Sequence, residues 1–537
     1  MSATIAPLLV SPSPSSDTNR VAACDELTRR VYFRGLGVVC LIAFVSLWSQ
    51  IHGLVGDQGL LPADQFFRFV RSKSGDSAYW QVPSLCWFGS GDAMLHLWCA
   101  IGTTFSLLLV FGLAPRQVIL AIWVTYLSLS GAGQTFLSFQ WDTLLLEMLA
   151  CSVLYAPRGW RPDWQSPPAT LPIARWLVWG LAFKLMFLSG VTKLLSGDGA
   201  WNDGTALQFH YYTQPIPSWA SWYAYQLPLP IHQLSLVIMF LIEVLLPFLI
   251  FFGRRGRALF GVATILLMVA IEATGNFGFF NLQTIVLAIP LLNDDLLRRV
   301  IPRRWHRGQT VEVTRSVSEG EHRFGVRSRV RFIAGTLAAS LMLVVSALTI
   351  VREMVRTQRA EKMPAFVAQT LRTSDWLLLS WGETWILKPL APYRTVNGYG
   401  LFRVMTTRRP EIVVEISNDG TTWQTVEFPY KPGQVDRAPA IVAPHMPRLD
   451  WQMWFAGLDP VGNGHWLTAL TQKLLEGNPK VARLIGHPEL TDNPPRFVRL
   501  AYYDYKFSSV AQRQAGGAWW SRSHTGYLTR PLSRRSE

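Results

Sequence analysis

"RWLVWGLAFKLMFLSGVTKLL", Arg175–Leu195, is apolar over the length that spans a bilayer, yet it carries Lys184 and Lys193. Ammonium groups in hydrocarbon are costly, so both lysines must face the inside of a helical bundle and find partners there. The preceding apolar run, "FQWDTLLLEMLACSVLYAP" (Phe139–Pro157), carries Asp142 and Glu147. Antiparallel neighbours match charges by depth. Asp142 and Lys193 fall near the outer end and Glu147 and Lys184 nearer the middle, which predicts two stacked ion pairs. Such pairs hold helices together without needing any chemistry. The competing reading is a desolvated lysine working as a base.

Half of the 537 residues are apolar and 16% are charged, against about a quarter charged in soluble domains. About nine runs read as spans: Val31–Ile51, Ala93–Leu113, Pro115–Ser130, Phe139–Tyr155, Leu171–Leu195, His232–Phe252, Ala258–Thr274, Phe277–Leu292 and Phe332–Val351. The predicted architecture is therefore a polytopic α-helical membrane domain over residues 31–351, followed by a C-terminal extramembrane domain. Several runs are short, which implies tilt, a thinned bilayer or partial re-entry. Residues 1–30 read as a disordered Pro/Ser-rich tail, without the basic start and apolar core of a signal peptide.

The net charge of +15 sits largely in loops. With the N-terminus cytoplasmic, Arg116, then Arg158 and Arg161, then "GRRGR" (Gly253–Arg257) and the basic insert 298–331 all fall on the inner side. The C-terminal region then lies outside, in a periplasm or an organelle lumen. No zinc-finger or RNA-binding signature accompanies the charge, so nucleic acid is not an expected partner. The five cysteines include no CxxC and none beyond Cys151, which argues against a disulfide framework.

Beyond Arg352 the pattern changes. "EIVVEISNDGTTWQTVEFPYKPG" (Glu411–Gly433) alternates around Asn418-Asp419-Gly420, a hairpin signal. "RLDWQMWFAGL" (Arg448–Leu458) and "HWLTALTQKLLEGNPKVARLI" (His465–Ile485) read as helices. "RFVRLAYYDYKFS" and "GAWWSRSHTGYL" return to strand-like alternation. A mixed domain with an antiparallel β core is expected over 364–537, its hairpins fitting a jelly-roll or galactose-binding-like sandwich.

"DGTALQFHYYTQPIPSWASWYAYQLP" (Asp203–Pro228) reads as an outer loop crowded with His210, Tyr211, Tyr212, Gln214, Trp219 and Trp222. Interfacial aromatics explain part of it, but not the alternation of polar and aromatic groups in "FHYYTQP". Glu243 and Glu272 are further acids within apolar runs, read chiefly as hydrogen-bonded packing groups. Glu272 lies near the outer end of its run, where it could share a cavity with His210. No HExxH, second helical His, GxSxG or Walker loop occurs, so neither a metal nor a cofactor is expected.

"LSFQWDTLLLEMLACSVLYAP", "LMFLSGVTKLLSGDGAWNDGTALQFHYYTQPIP" and "IEVLLPFLIFFGRR" resemble the lipase maturation factor family, as do "GNFGFFN", "YRTVNGYGLF", "RLDWQMWF" and "YYDYKFS". The resemblance runs in order from about Leu54 to Trp520. It implies a multi-pass membrane protein, in eukaryotes of the endoplasmic reticulum, with a chaperone-like role in lipase folding and assembly. It also implies client contact through the C-terminal domain, with Asp450, Trp451 and Trp454 joining the aromatic loop. The segment Thr314–Arg329 departs from the family pattern. The scarcity of outer-face cysteines fits a relative in a bacterial inner membrane, whose client need not be a eukaryotic lipase. "GLVGDQGLLPA" is more distantly similar to the horizontally transferred transmembrane group, which includes the vitamin K-dependent γ-carboxylases. That likeness frames the alternative: a membrane enzyme acting on lipid, quinone or protein side chains, with Lys184, Lys193, His210 and Glu272 around an outward-facing cavity. The leading reading is a maturation factor embedded in the bilayer, without catalytic residues.

Overall fold

The computed structural model describes residues 26–162, 164, 171–302, 326–357, 369 and 380–534. Nine helices follow the apolar runs: α1 Glu26–Trp48, α2 Asp92–Val110, α3 Pro115–Ala132, α4 Gln140–Tyr155, α5 Pro172–Leu195, α6 Leu229–Phe251, α7 Gly253–Thr274, α8 Phe280–Leu291 and α9 Val326–Thr357. Six are long and apolar enough to cross a membrane: α1, α2, α5, α6, α7 and, within α9, Phe332–Thr357. The chain is a multi-pass membrane protein, but nine full spans do not stand. The exceptions have a shared physical reason: α3, α4 and α8 are core helices. The 16-residue α4 is buried on nearly every side, including Asp142 and Glu147. In α8, Asn281, Gln283 and Thr284 are buried. Helices wrapped by protein need neither bilayer length nor an all-apolar surface.

The first helix is described from Glu26 onward, so the last residues of the expected tail are helical. Asp294 satisfies the orphan donors there, accepting from the N–H groups of Leu27 (3.0 Å) and Thr28 (2.9 Å). Most of the expected basic insert, 303–325, lies outside the described residues, and α9 is described from Val326, within that insert's predicted end.

Helices α1 and α5 are largely enclosed, whereas α2, α6, α7 and α9 turn apolar side chains such as Val237, Leu266 and Leu337 outward. Faces of that kind match hydrocarbon. Close approach depends on glycine. A Cβ on Gly102 of α2 would stand 2.1 Å from the Phe44 ring of α1. Gly102→Ala is therefore expected to destabilise the solubilised protein by about 1–3 kcal/mol through overpacking, read as a lower unfolding temperature. Gly190 does the same for α5 and α6, where a Cβ would meet Val244 at 2.6 Å and Glu243 at 2.8 Å. At that point α6 is not regular: Leu241–Leu245 forms a π turn, followed by a 3₁₀ segment, Leu246–Phe251, that holds Pro247. The π turn presents Glu243 to α5.

The aromatic stretch Asp203–Pro228 is helical rather than a loop. Ala206–Thr213 and Trp219–Tyr225 are short helices, the second opened by a capping box between Ser218 and Ser221.

The C-terminal region holds a five-stranded antiparallel sheet, with β1 Arg409–Ser417, β2 Gln424–Val426, β3 Phe497–Phe507, β4 Trp520–Tyr527 and β5 Leu532–Ser533. The order is β2-β1-β3-β4, and β5 pairs with β3. The predicted hairpin is β1–β2, in register Val414↔Val426, turned at Gly420 (φ 77°). A sandwich does not form: among the described residues there is one sheet, covered by helices. One of them, α10 (Arg448–Leu458), matches its predicted bounds. The second expected helix is divided, Gly464–Leu475 and Pro479–Leu484, by Gly477 (φ 65°) and the Asn478 cap. Nor is this region a separate body. One buried core runs from Tyr32 and Leu144 through Ile412, Trp451 and Trp466.

Candidate functional site

Buried cations organise the junction between helices and sheet, and two of them, Arg448 and Arg409, bind across it. The first is Arg448, at the start of α10, which is fully buried. Its guanidinium grips Asp142 with two parallel bonds, Nη1 to Oδ2 at 2.9 Å and Nη2 to Oδ1 at 2.8 Å. It also donates to the Phe136 carbonyl (2.8 Å), while the Tyr126 hydroxyl donates to Asp142. This fork geometry is what makes arginine suited to a buried carboxylate. The expected Asp142–Lys193 pair is thereby corrected: Asp142 belongs to Arg448, and Lys193 to Glu243 (2.7 Å).

The Glu147–Lys184 pair forms as depth matching predicts, with both side chains sealed from solvent. Glu147 is also a hub for the region after α9. It accepts from the Tyr399 hydroxyl (2.7 Å) and the Asn397 backbone N–H (2.8 Å), and Asn397 Nδ2 reaches the same oxygen at 3.2 Å. The Lys184 ammonium is thus fully buried and held in this pair.

Arg409, at the start of β1, donates to the carbonyls of Tyr212 (2.8 Å), Gln214 and Pro215 (2.7 Å) and pairs with Glu411 (2.7 Å). It is fully buried, and Glu411 also holds Lys431 at 2.9 Å. Around it, the aromatic stretch and the sheet interlock. The Tyr212 hydroxyl donates to the Thr407 carbonyl (2.8 Å), Trp454 Nε1 to Thr213 (2.7 Å), and Trp222 Nε1 to the Ser508 carbonyl (3.0 Å). Asn276 of "GNFGFFN" clasps the loop before α10, its Oδ1 accepting from the N–H groups of Val442 (2.7 Å) and Ala443 (3.0 Å). At the end of α1, Gln50 Oε1 accepts from Arg448 N–H at 2.8 Å.

These contacts relocate most residues expected to meet a partner. Tyr212, Gln214, Trp222, Asp450, Trp451 and Trp454 are buried. Asp450 accepts from the N–H groups of Tyr430 (2.9 Å) and Lys431 (2.8 Å), and Trp451 packs on Trp141 with centroids 4.6 Å apart. Their hydrogen bonds and buried areas serve the molecule's own seam. Trp219 remains exposed, as does its neighbour Tyr223. The residues that reading the sequence missed are Arg448, Arg409, Asn397, Tyr399 and Asn276. Arg448, Asn397, Tyr399 and Asn276 lie within stretches that resemble the family, but nothing in the spacing of the apolar runs points from Asp142 or Glu147 to a partner beyond the spans.

His210, Tyr211, Lys193 and Glu243 line a cavity of about 350 Å³ beside this seam. Burial, reinforced by the charge of Lys193, pushes the His210 imidazole down to about 4, so it is neutral at ordinary pH. Its ring lies parallel to Phe277 and edge-on to Phe402, at 6.4 and 4.8 Å. Glu272 does not line this cavity; it accepts from Asn281 Nδ2 (2.6 Å), which does. Among the described residues, no three His, Cys, Asp or Glu side chains converge as metal ligands would. The four described cysteines, Cys40, Cys86, Cys99 and Cys151, are buried free thiols.

A multi-pass membrane protein whose C-terminal sheet is locked to one end of its helices by buried charges is the class these features define. Residues 27–299 match the lipase maturation factor transmembrane domain and residues 395–529 the lipase maturation factor C-terminal domain. Lipase maturation factor 2 from Xenopus laevis is 34% identical over 93% of this chain and 81% of that protein; the Homo sapiens protein is 34% identical over 93% and 82%. Lipase maturation factor 1 from Bos taurus is 31% identical over 95% and 89%. The chain belongs to the lipase maturation factor family. No solved structure matches it.

Proposed function

We propose that this protein assists the maturation of an exported lipase, holding it at the outer face of a membrane. The names of its relatives supply the client class. The N-terminus is cytoplasmic in this reading and the C-terminal region periplasmic or luminal. Arginines from separate segments support that orientation by gathering at one end of the bundle. Arg29 donates to the Tyr155 carbonyl (3.4 Å), Arg116 to that of Ala156 (2.9 Å), and Arg257 stacks on Trp179 at 4.3 Å. The seam with the C-terminal region engages the other end, at Ser46, Gln50, Asp142 and Asn276.

One observation carries the client reading. While the buried aromatics are consumed in the seam, the sheet keeps a partly exposed cluster of the residue types that dominate binding energy. Arg499 of β3 lies between Trp423 (3.9 Å) and Tyr527 (4.5 Å) and is held by Glu415 (2.6 Å). The aromatic stretch meets this sheet at Tyr505 and Phe507 of β3 and at Ser508 just beyond it, roughly 20 Å further along the strand. The sheet thus carries a preorganised patch away from the membrane helices.

The test is co-purification of exported lipases with the full-length protein from its own membranes. Arg499→Ala with Tyr527→Ala is expected to reduce lipase recovery at least tenfold, about 1.4 kcal/mol of binding, while the protein's own abundance holds. Undiminished recovery with the double variant would place the client elsewhere.

A further inference from the structure

The cavity beneath His210 has features the maturation reading does not use. Its walls come chiefly from α5, α6, α7 and α8 and from the helix Ala206–Thr213, joined by Leu401 and Phe402, and half of the lining residues are Leu, Met, Ile or Phe. Helix α7 packs against the last part of α6, Leu246–Phe251, and only sparsely against Leu229–Phe240. The two helices therefore diverge, and the cavity lies in the gap. Ser235 and Met239 of α6 and Leu267, Ala270 and Ile271 of α7 line it there. Ala270 is exposed, and the flanking Leu234, Val237, Leu266 and Val269 point outward as membrane-facing residues do. The gap thus opens toward hydrocarbon rather than water.

The polar content of this chamber is specific. Ser189, Ser235 and Thr284 each donate to a carbonyl one turn back in their own helix (2.7, 2.8 and 2.9 Å). Lys193 and Glu243 neutralise each other at 2.7 Å. By contrast, the ring nitrogens of His210 and the hydroxyl of Tyr211 meet no hydrogen-bond partner among the described residues, although both side chains line the chamber. Both side chains are half-buried, and polar groups set among apolar walls favour a hydrogen-bond partner. With the imidazole neutral and the ion pair closed, the chamber has no net charge to offer an ionic headgroup. Its volume of about 350 Å³ lies at the low end of small-molecule sites, about 300–1,000 Å³, the scale of one acyl chain rather than two.

We propose that this chamber binds one neutral, single-chain lipid from the bilayer. The lipid's hydroxyl or ester oxygen hydrogen-bonds to His210 and Tyr211, and its chain lies along the Met186, Met239 and Leu267 walls. The binding needs no client and stands apart from the maturation reading.

Full-length protein in phosphatidylcholine nanodiscs, offered a monoacylglycerol carrying a chain diazirine, tests this directly. Photolysis is expected to label peptides containing Leu207–Tyr211 and Leu267–Ile271 preferentially. His210→Leu should lower that labelling about tenfold, the scale of one lost buried hydrogen bond. Ala270→Trp, at an exposed position on the chamber's mouth, should lower it as much while leaving the fold intact. Labelling unchanged in both variants, or as strong on the outward faces of α2 and α9, would overturn the site. Stronger labelling of the chamber by a diazirine fatty acid than by the monoacylglycerol would overturn the neutral head.

Discussion

Arg448→Met is expected to lower the unfolding free energy by about 3–5 kcal/mol, the range for breaking a buried ion pair from one side. The loss is large because Asp142 stays behind, sealed from solvent beside the Tyr126 hydroxyl, with its two strongest donors removed. The Phe136 carbonyl loses its donor as well. Asp142→Leu added to Arg448→Met removes the stranded charge and should recover part of the loss, since apolar isosteres often replace buried pairs at little cost. Thermal unfolding of the detergent-solubilised protein reads both changes. A single variant as stable as the parent would show that the pair does not hold the seam.

Glu147→Leu is expected to have an effect of similar size, about 3–5 kcal/mol, with a different pattern of rescue. Four donor contacts converge on this carboxylate, from Lys184, Tyr399 and both nitrogens of Asn397. The charge swap Glu147→Lys with Lys184→Glu restores opposite charges but points the Tyr399 and Asn397 donors at an ammonium. It should therefore fail to rescue stability, measured by the same unfolding assay. A pair that merely glued α4 to α5 would tolerate the swap. Here the carboxylate also fixes the chain that follows α9.

The contrast between these two sites shows what the sequence could convey. Glu147 and Lys184 sit on consecutive antiparallel helices, so hydrophobic depth alone brings them together. Asp142 finds a partner 306 residues away, and no local period encodes that distance. Lys193 pairs with Glu243 rather than Asp142, and the π turn that aims Glu243 inward leaves no mark in an apolar run. The β1–β2 hairpin was legible because Asn418-Asp419-Gly420 supplies its turn. The number of sheets was not, since strand alternation cannot tell one sheet capped by helices from a sandwich. Trp451 and Trp454 read as client anchors because interfaces and internal seams use the same large aromatic side chains. Only burial separates the two uses.

Taken together, the buried charges make the membrane helices and the C-terminal sheet one cooperative body, which holds the Arg499 patch in place for a client. Hydrogen exchange on the full-length protein in nanodiscs tests this most directly. Peptides from β3 (Phe497–Phe507) and α4 (Gln140–Tyr155) should exchange through a shared opening, and Arg448→Met should lower the protection of both by the same free energy. Protection lost in β3 alone, with α4 unchanged, would mean two independently stable parts and would contradict it.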